Sequence, residues 1–399
     1  MTRFSLPAVE ATTPVIRKTA LNAVHRQMGA KMVEFAGWEM PVEYPKSGGI
    51  IAEHLAVRTG VGIFDVSHMG DIRLSGSEAL AAVQQISMND AAGLAVGQAQ
   101  YSALLYPKGT FVDDVIVHRL GDDEYLLVNN AGTREKDFNW VRENTRQFNC
   151  RVENLSDDFT QIAIQGPNAA ELLQKLSDAD LASVKFYWVT RGAICGLRNI
   201  LIARTGYTGE DGFEIYIPAD EVTSARIWNE ILEAGKEAGV LPCGLGARNT
   251  LRLEAKLPLY GNEISDTINV WEAGLDRFCK MEKRDFIGRA AVEKARTDGV
   301  KRTLVGLEMV DRGIARDGYK VQDEAGYEIG YVTSGSPAPF LKKNIALAYV
   351  PPEFSQIGRT LNVEIRGQGT KARVVPTPFY KRHKKPKPPR PQRNAEKNP

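Results

Sequence analysis

The sequence predicts an α+β protein in which a larger region of intermixed helices and strands precedes a small all-β barrel. Three observations carry that expectation. Helical and strand periodicities alternate irregularly up to about residue 300. After it come five short strand-like runs separated by turn motifs. No internal repeat is evident, and 399 residues of ordinary globular composition, 43% hydrophobic and 25% charged, are long enough for two or three unlike units.

In chain order, Ala20–Met28 and Gly49–Val57 read as helices, leading to strand-like segments at Lys31–Phe35 and Val61–Asp65. Gln100–Leu105 and Val112–His118 flank the turn Pro107-Lys-Gly109, and Tyr125–Val128 follows across Gly121-Asp-Asp, the pattern of a β-meander. Pro167 suits the first turn of a helix over Ala169–Leu176. Asp220–Ala234 carries apolar residues at helical spacing, and Leu245–Ala255 places Arg248 and Arg252 one turn apart on a shared face. Phe286–Lys294 is the last expected helix. The barrel strands are expected at Thr303–Met309, Tyr319–Gln322, Glu328–Ser334, Ile345–Val350 and Leu361–Arg366.

Composition excludes several classes. No apolar run approaches the ~18 residues of a membrane span. Met1–Pro7 lacks a secretory core and Glu10 is out of place in a transit peptide, so a cytoplasmic protein is expected. Cys150, Cys195, Cys243 and Cys279 are scattered, as are the five histidines, so neither disulfides nor a metal site is expected. Residues 381–399 hold eight Lys/Arg and five Pro against one Glu, leaving 43 basic and 48 acidic residues in the body. Such a tail is expected to be disordered and solvated, or to steer an acidic partner toward the body by long-range attraction. The acidic body offers no extended basic face for nucleic acid, leaving that class resting on the tail alone.

The densest polar motifs are Arg204-Thr-Gly-Tyr-Thr-Gly-Glu-Asp-Gly-Phe-Glu214 and Gly244-Leu-Gly-Ala-Arg248. Gly206, Gly209 and Gly212 demand a tight turn before the strand-like Phe213–Ile217. A phosphate loop fails on charge, because Glu210, Asp211 and Glu214 would repel it and no Gly-Lys-Ser/Thr follows. Carboxylates beside tyrosine and arginine suit a neutral heterocycle rich in N–H donors, a pterin or a purine. Of Asp113 and Asp114, consecutive on a strand, only one can line a given cavity.

Together with Phe35-Ala-Gly-Trp-Glu-Met-Pro-Val-Glu-Tyr44, Phe64-Asp-Val-Ser-His-Met-Gly70, Val112–Val117, Gln165-Gly-Pro167, Leu251-Arg-Leu-Glu-Ala255, Pro258-Leu-Tyr-Gly261, Asp285–Gly288, Gly306–Met309, Ile345–Tyr349 and Val375–Tyr380, these motifs resemble the aminomethyltransferase (T-protein) family of the glycine cleavage system, in order, over about residues 20–382. The resemblance implies a multidomain aminomethyltransferase-type folate-binding fold. Residues 1–285 would form the catalytic region of two interleaved α/β subdomains, 286–382 a C-terminal β-barrel domain, and 383–399 a disordered basic tail. It implies tetrahydrofolate as acceptor and the lipoyl group of H-protein as donor, giving 5,10-methylenetetrahydrofolate, ammonia and dihydrolipoyl H-protein, with no metal. Asp114 matches the catalytic aspartate. Met69, Tyr125, Leu127, Asn129, Tyr207, Glu214, Arg248 and Tyr380 match folate-contacting positions.

That chemistry fits the residue inventory. The carbon on the lipoyl sulfur loses ammonia and meets N5, N10 closes the ring as the carbon–sulfur bond breaks and the dihydrolipoyl thiol leaves, and a proton is released. One carboxylate suffices to orient the folate, accept the proton and stabilise developing positive charge. Arg248 could meet a folate carboxylate or a pterin carbonyl. The sequence departs from the family at Asn249, Lys256, where a small residue is common, and Asn269-Val-Trp271. A folate-dependent demethylase of a small sulfonium or N-methyl donor would share the fold, as would a folate-binding iron–sulfur assembly factor, whose Lys-Gly-Cys-Tyr-type signature is absent.

Overall fold

Alternation along Phe111–Gly121 shows how the first sheet forms. Val115 and Val117 point to one face and Asp114, Ile116 and His118 to the other. In the computed structural model, which describes residues 15–283 and 285–382, this strand lies in a five-stranded antiparallel sheet. The order is Gln98–Leu105, Phe111–Gly121, Glu124–Asn129, Gly70–Ser75, Arg151–Asn154. The valine face is a core with Ile72, Leu74, Tyr125 and Leu127, covered by Val83 and Ile86 of the helix Ala79–Ile86 and Val141 of the helix Arg134–Asn144.

A second sheet of six strands has the order Val189–Ile194, Leu197–Ala203, Gly212–Pro218, Phe159–Gln165, Gly62–Asp65, Leu241–Pro242, antiparallel except for its last pair. Its Ile162, Ile164, Phe213 and Ile215 pack against Ile227, Trp228 and Ile231 of the helix Glu221–Ala234. The first sheet is inserted in the chain between two neighbouring strands of the second, Gly62–Asp65 and Phe159–Gln165. The sheets meet where Leu126 and Val128 touch the cluster of Leu201, Ala203 and Tyr216.

The C-terminal strands close into a six-stranded barrel of order Thr303–Met309, Lys343–Val350, Glu328–Ala338, Lys320–Gln322, Thr360–Ile365, Gln368–Val375. The expected α+β architecture with a C-terminal barrel is therefore found. The last strand was not foreseen, because Lys371 and Arg373 alternate with the small apolar pair Ala372 and Val374. The expected helix at Phe286–Lys294 runs instead from Arg289 to Asp298, since Gly288 at φ +92° sets its start and Phe286 is buried elsewhere. Its Val292 packs with Leu105 and Phe111 of the first sheet, not with the barrel interior.

The helix Leu245–Glu254 joins the parts. Buried Arg252 pairs with Glu263 at 2.7 Å and donates to Ser334 of the barrel at 2.8 Å, while Asn249 accepts from its Nε at 2.9 Å. Asn249 thus braces Arg252 rather than Arg248. The basic residues from 383 onward lie outside the described residues.

Candidate active site

The Gly-rich turn folds by consuming its own charges. Arg204 clamps Asp211 at two points, 2.9 and 2.6 Å, and Arg58 takes Glu210 at 2.9 Å. Gly209 adopts φ +79°, and a Cβ on Gly206 would lie 2.0 Å from the Gln165 side chain, which holds the carbonyl of Thr205. Of the three carboxylates in this motif, only Glu214 faces the chamber between the two sheets. It accepts from Thr205, and burial raises its carboxyl above the ordinary range, opposed by Thr205 and the charge of Arg248. Arg248 lies 4.6 Å above the Tyr207 ring, whose hydroxyl donates to the carbonyl of Pro258.

Opposite, the paired aspartates divide their work. Buried Asp113 turns away to accept from Thr133 at 2.6 Å and from the side chain of Asn130 at 2.8 Å. Asp114 faces the chamber, where the same Asn130 amide donates to it at 2.8 Å and Tyr101 lies beside it. Burial first, and the Asp113 charge second, hold the Asp114 carboxyl well above the ordinary carboxylate range. A carboxyl so placed is poised to exchange a proton near neutral pH.

The chamber opens in two directions. Through Tyr101, Tyr187, Gly206, Leu257 and Pro258 it continues into an outer chamber of about 540 Å³ that contains Lys256, Arg277 and Arg382. Through Met69, Asn130, Tyr207 and Arg248 it continues to a far opening bordered by Phe35, Ala36, Tyr260 and Asn262. Among the described residues, no group of three or more His, Cys, Asp or Glu is arranged to hold a metal ion.

Two domain families together match most of the chain. The GCVT N-terminal domain matches residues 21–283 and the glycine cleavage T-protein C-terminal barrel domain matches residues 302–381. The chain belongs to the glycine cleavage T-protein family. It is 71% identical over 379 residues to an aminomethyltransferase of Koribacter versatilis, covering 95% of this chain and 99% of that protein. It is 66% identical to an aminomethyltransferase of Acidobacterium capsulatum, with 93% and 97% covered. The crystal structure of glycine cleavage system aminomethyltransferase T from Bartonella henselae superposes with a TM-score of 0.85 at 34% identity, covering 92% of this chain and 98% of that one.

Within this family framework, the chamber brings together Asp114, Met69, Tyr207, Glu214 and Arg248. It does not bring together the rest. Tyr125 and Leu127 are fully buried in the core on the other face of the first sheet, and Asn129 donates to Asp137 at 2.8 Å on that same face. The reason is register: Val115 pairs with Asn129, so Asn129 shares the face of Val115, opposite to that of Asp114. Tyr380 stands behind the chamber wall, its ring 3.9 Å from the Arg58 guanidinium and its backbone N–H donating to Glu254 at 2.8 Å.

The residues that do line the chamber beside Asp114 include Asn130, Tyr101, Tyr187, Thr205 and His118, none of them singled out in the sequence. Asn130 could have been found, since one step along the strand from Asn129 reaches the face of Asp114. His118 also shares the parity of Asp114. It is 1% exposed, and burial lowers its pKa to about 4 against a smaller opposing pull from the Leu126 backbone, keeping it neutral. The tyrosines carried no comparable signal, because an aromatic in a strand is usually core.

Proposed function

We propose that this chain is a tetrahydrofolate-dependent aminomethyltransferase of the glycine cleavage system. It would take the aminomethyl group from lipoyl H-protein and give 5,10-methylenetetrahydrofolate, ammonia and dihydrolipoyl H-protein. One observation carries the reading above all: a carboxyl with a raised pKa, Asp114, sits in a chamber that opens at two ends.

The lining fits a pterin. Glu214 accepts from the N–H edge, Arg248 meets the ring carbonyl, and Met69 and Tyr207 form its walls. Asp114, steadied by Asn130, orients the folate, stabilises positive charge developing at the transferred carbon and accepts the proton released on ring closure. Tyr380 acts through Arg58, bracing the Gly-rich turn from behind. The lipoyl arm enters from the far opening, whose border of Phe35, Ala36, Tyr260 and Asn262 carries no charged side chain. Holding both reactants in one chamber supplies proximity as a large part of the acceleration. We place the reaction in the cytoplasm, in keeping with the four free thiols.

Comparing donors tests the proposal. Aminomethyl-loaded H-protein is expected to support turnover with tetrahydrofolate, and small sulfonium or N-methyl compounds are not. Turnover with a small methyl donor and none with loaded H-protein would make the protein a demethylase instead.

A further inference from the structure

Behind the chamber wall lies a third carboxyl that the proposed transfer does not use. Asp137 stands in the first turn of the helix Arg134–Asn144, is 0% exposed, and is in hydrogen-bonding contact with the carboxyl of Asp113, itself 0% exposed. Two carboxyls in dry contact do not both ionise, so the pair holds a proton. The donors around it decide which member keeps that proton. Asp113 accepts from the Thr133 hydroxyl at 2.6 Å, the Asn130 side chain at 2.8 Å and the Asn130 backbone N–H at 3.1 Å, a set that suits an anion. Asp137 accepts from Asn129 at 2.8 Å, and among the described residues its Oδ1 meets no N–H or O–H donor at hydrogen-bond distance. The proton therefore sits on Asp137.

The charges facing the pair leave that assignment standing. Lys136, on the same helix, brings its ammonium to 3.6 Å from Asp137 Oδ1, but its hydrogen bonds go to the carbonyl of Val112 and the hydroxyl of Tyr260. Tyr260 also faces the pair, and burial first and the nearby carboxyls after it push its phenol up to about 12, so it stays neutral. Burial, then the charge of Asp113 and the contact with it, raise the Asp137 carboxyl well above the ordinary range, against smaller pulls from Lys136 and Asn129. The start of the helix favours an anion, by too little to reverse this. On the chamber side, Asp114 is faced by Asp113, Asn130 and the phenols of Tyr101, Tyr187 and Tyr207. One Asn130 amide spans both aspartates, so the charge and position of Asp113 reach Asp114 through it.

We propose that Asp137 is a positioning residue for the transfer: its protonated carboxyl donates to Asp113 and holds that group as the anion that aims the Asn130 amide at Asp114. The inference rests on the reading of Asp114 as the proton acceptor. Asp137 does not line the chamber; it fixes how much negative charge stands behind Asp114, and so the pH at which Asp114 takes up a proton.

Infrared difference spectra and pH–rate profiles of the full-length protein, Asp137→Asn and Asp137→Leu test this. At neutral pH, the unaltered protein minus Asp137→Asn is expected to show the carbonyl stretch of a protonated carboxyl; a carboxylate band in its place would overturn the inference. Asparagine keeps a donor for Asp113 and an acceptor for Asn129, so kcat should stay within about threefold of normal and the limb on which activity rises with pH should not move. Leucine removes the donor. Asp113 is then expected to take up a proton more readily, which relieves Asp114 of a neighbouring charge and moves the limb about one pH unit lower. With Asn130 released, kcat should fall about tenfold while KM for tetrahydrofolate changes by less than about threefold. Unchanged kcat and an unmoved limb in folded Asp137→Leu would reduce Asp137 to packing and overturn the proposal, as would an equal shift of the limb in Asp137→Asn, the sign of an ionised Asp137. Should Asp137→Leu not fold, the infrared band and Asp137→Asn decide. No aminomethyl transfer by the unaltered protein would overturn the functional reading and with it the role given to Asp137, whatever the infrared band shows.

Discussion

At the scale of single residues, the division of labour between Asp113 and Asp114 is decided by strand parity and then sharpened by their environments. Asp113 is tied to Thr133 and Asn130 on the buried side, and Asp114 shares the Asn130 amide while facing the chamber. Asp114→Asn keeps shape and neutralises the acceptor, so turnover is expected to fall about 10²–10⁴-fold with the fold retained. The pH profile gives an independent check. Because burial and Asp113 raise the Asp114 pKa, its basic form is populated only as pH rises through that raised value. Activity should therefore climb with pH along a limb lying above the ordinary carboxylate range, and that limb should be missing from the residual activity of Asp114→Asn. Near-normal turnover in folded Asp114→Asn, checked by steady-state kinetics, would move the role elsewhere. Glu214 shows what sequence could and could not say. Its motif announced carboxylates near a turn, but only the structure shows Glu210 and Asp211 spent on Arg58 and Arg204, with Glu214 left for the chamber.

At the scale of elements, the long periodic segments were legible. The helices Glu221–Ala234 and Leu245–Glu254 follow from apolar residues at helical spacing, whereas Gly49–Thr59 buries the polar Glu53, His54 and Arg58 beside Val57. The strand Glu124–Asn129 shows where such reading fails. Family resemblance pointed to Tyr125, Leu127 and Asn129, whereas the register against Phe111–Gly121 turns those three into the core and presents Leu126, Val128 and Asn130 to the cavity side. Pairing register depends on a partner strand, and a single strand's sequence does not state it. Two variants separate the faces. Leu127→Ala should cost about 2–5 kcal/mol of stability through the cavity it leaves and leave folate affinity unchanged. Asn130→Ala should reduce turnover more than stability, by releasing Asp114. Chemical denaturation reads the stability of both, folate titration the affinity of Leu127→Ala and steady-state kinetics the turnover of Asn130→Ala, and weakened folate binding by a fully stable Leu127→Ala would contradict the placement.

At the scale of the whole molecule, the site exists because three units share it. The first sheet supplies Asp114, the second supplies Glu214, and the helix Leu245–Glu254 supplies Arg248 while Arg252 fastens the same helix to the barrel through Glu263 and Ser334. That convergence was not legible in local pattern. Asp114, Glu214 and Arg248 are far apart in the chain, and only the packing of the two sheets brings them to one chamber. The barrel was legible as a run of short strands, yet its contribution is indirect: it backs the helix, and the segment after it carries Tyr380 to Arg58 and Arg382 to the chamber mouth. In the proposed reaction a carbon passes from a lipoyl arm to folate inside this chamber. The most direct measurement supplies H-protein carrying a carbon-13 aminomethyl group and follows the label by NMR in the presence of tetrahydrofolate and this protein. Label is expected in the methylene bridge between N5 and N10 together with one equivalent of ammonia; label that stays on the lipoyl sulfur, or that reaches folate as a methyl group, would rule out the proposed transfer.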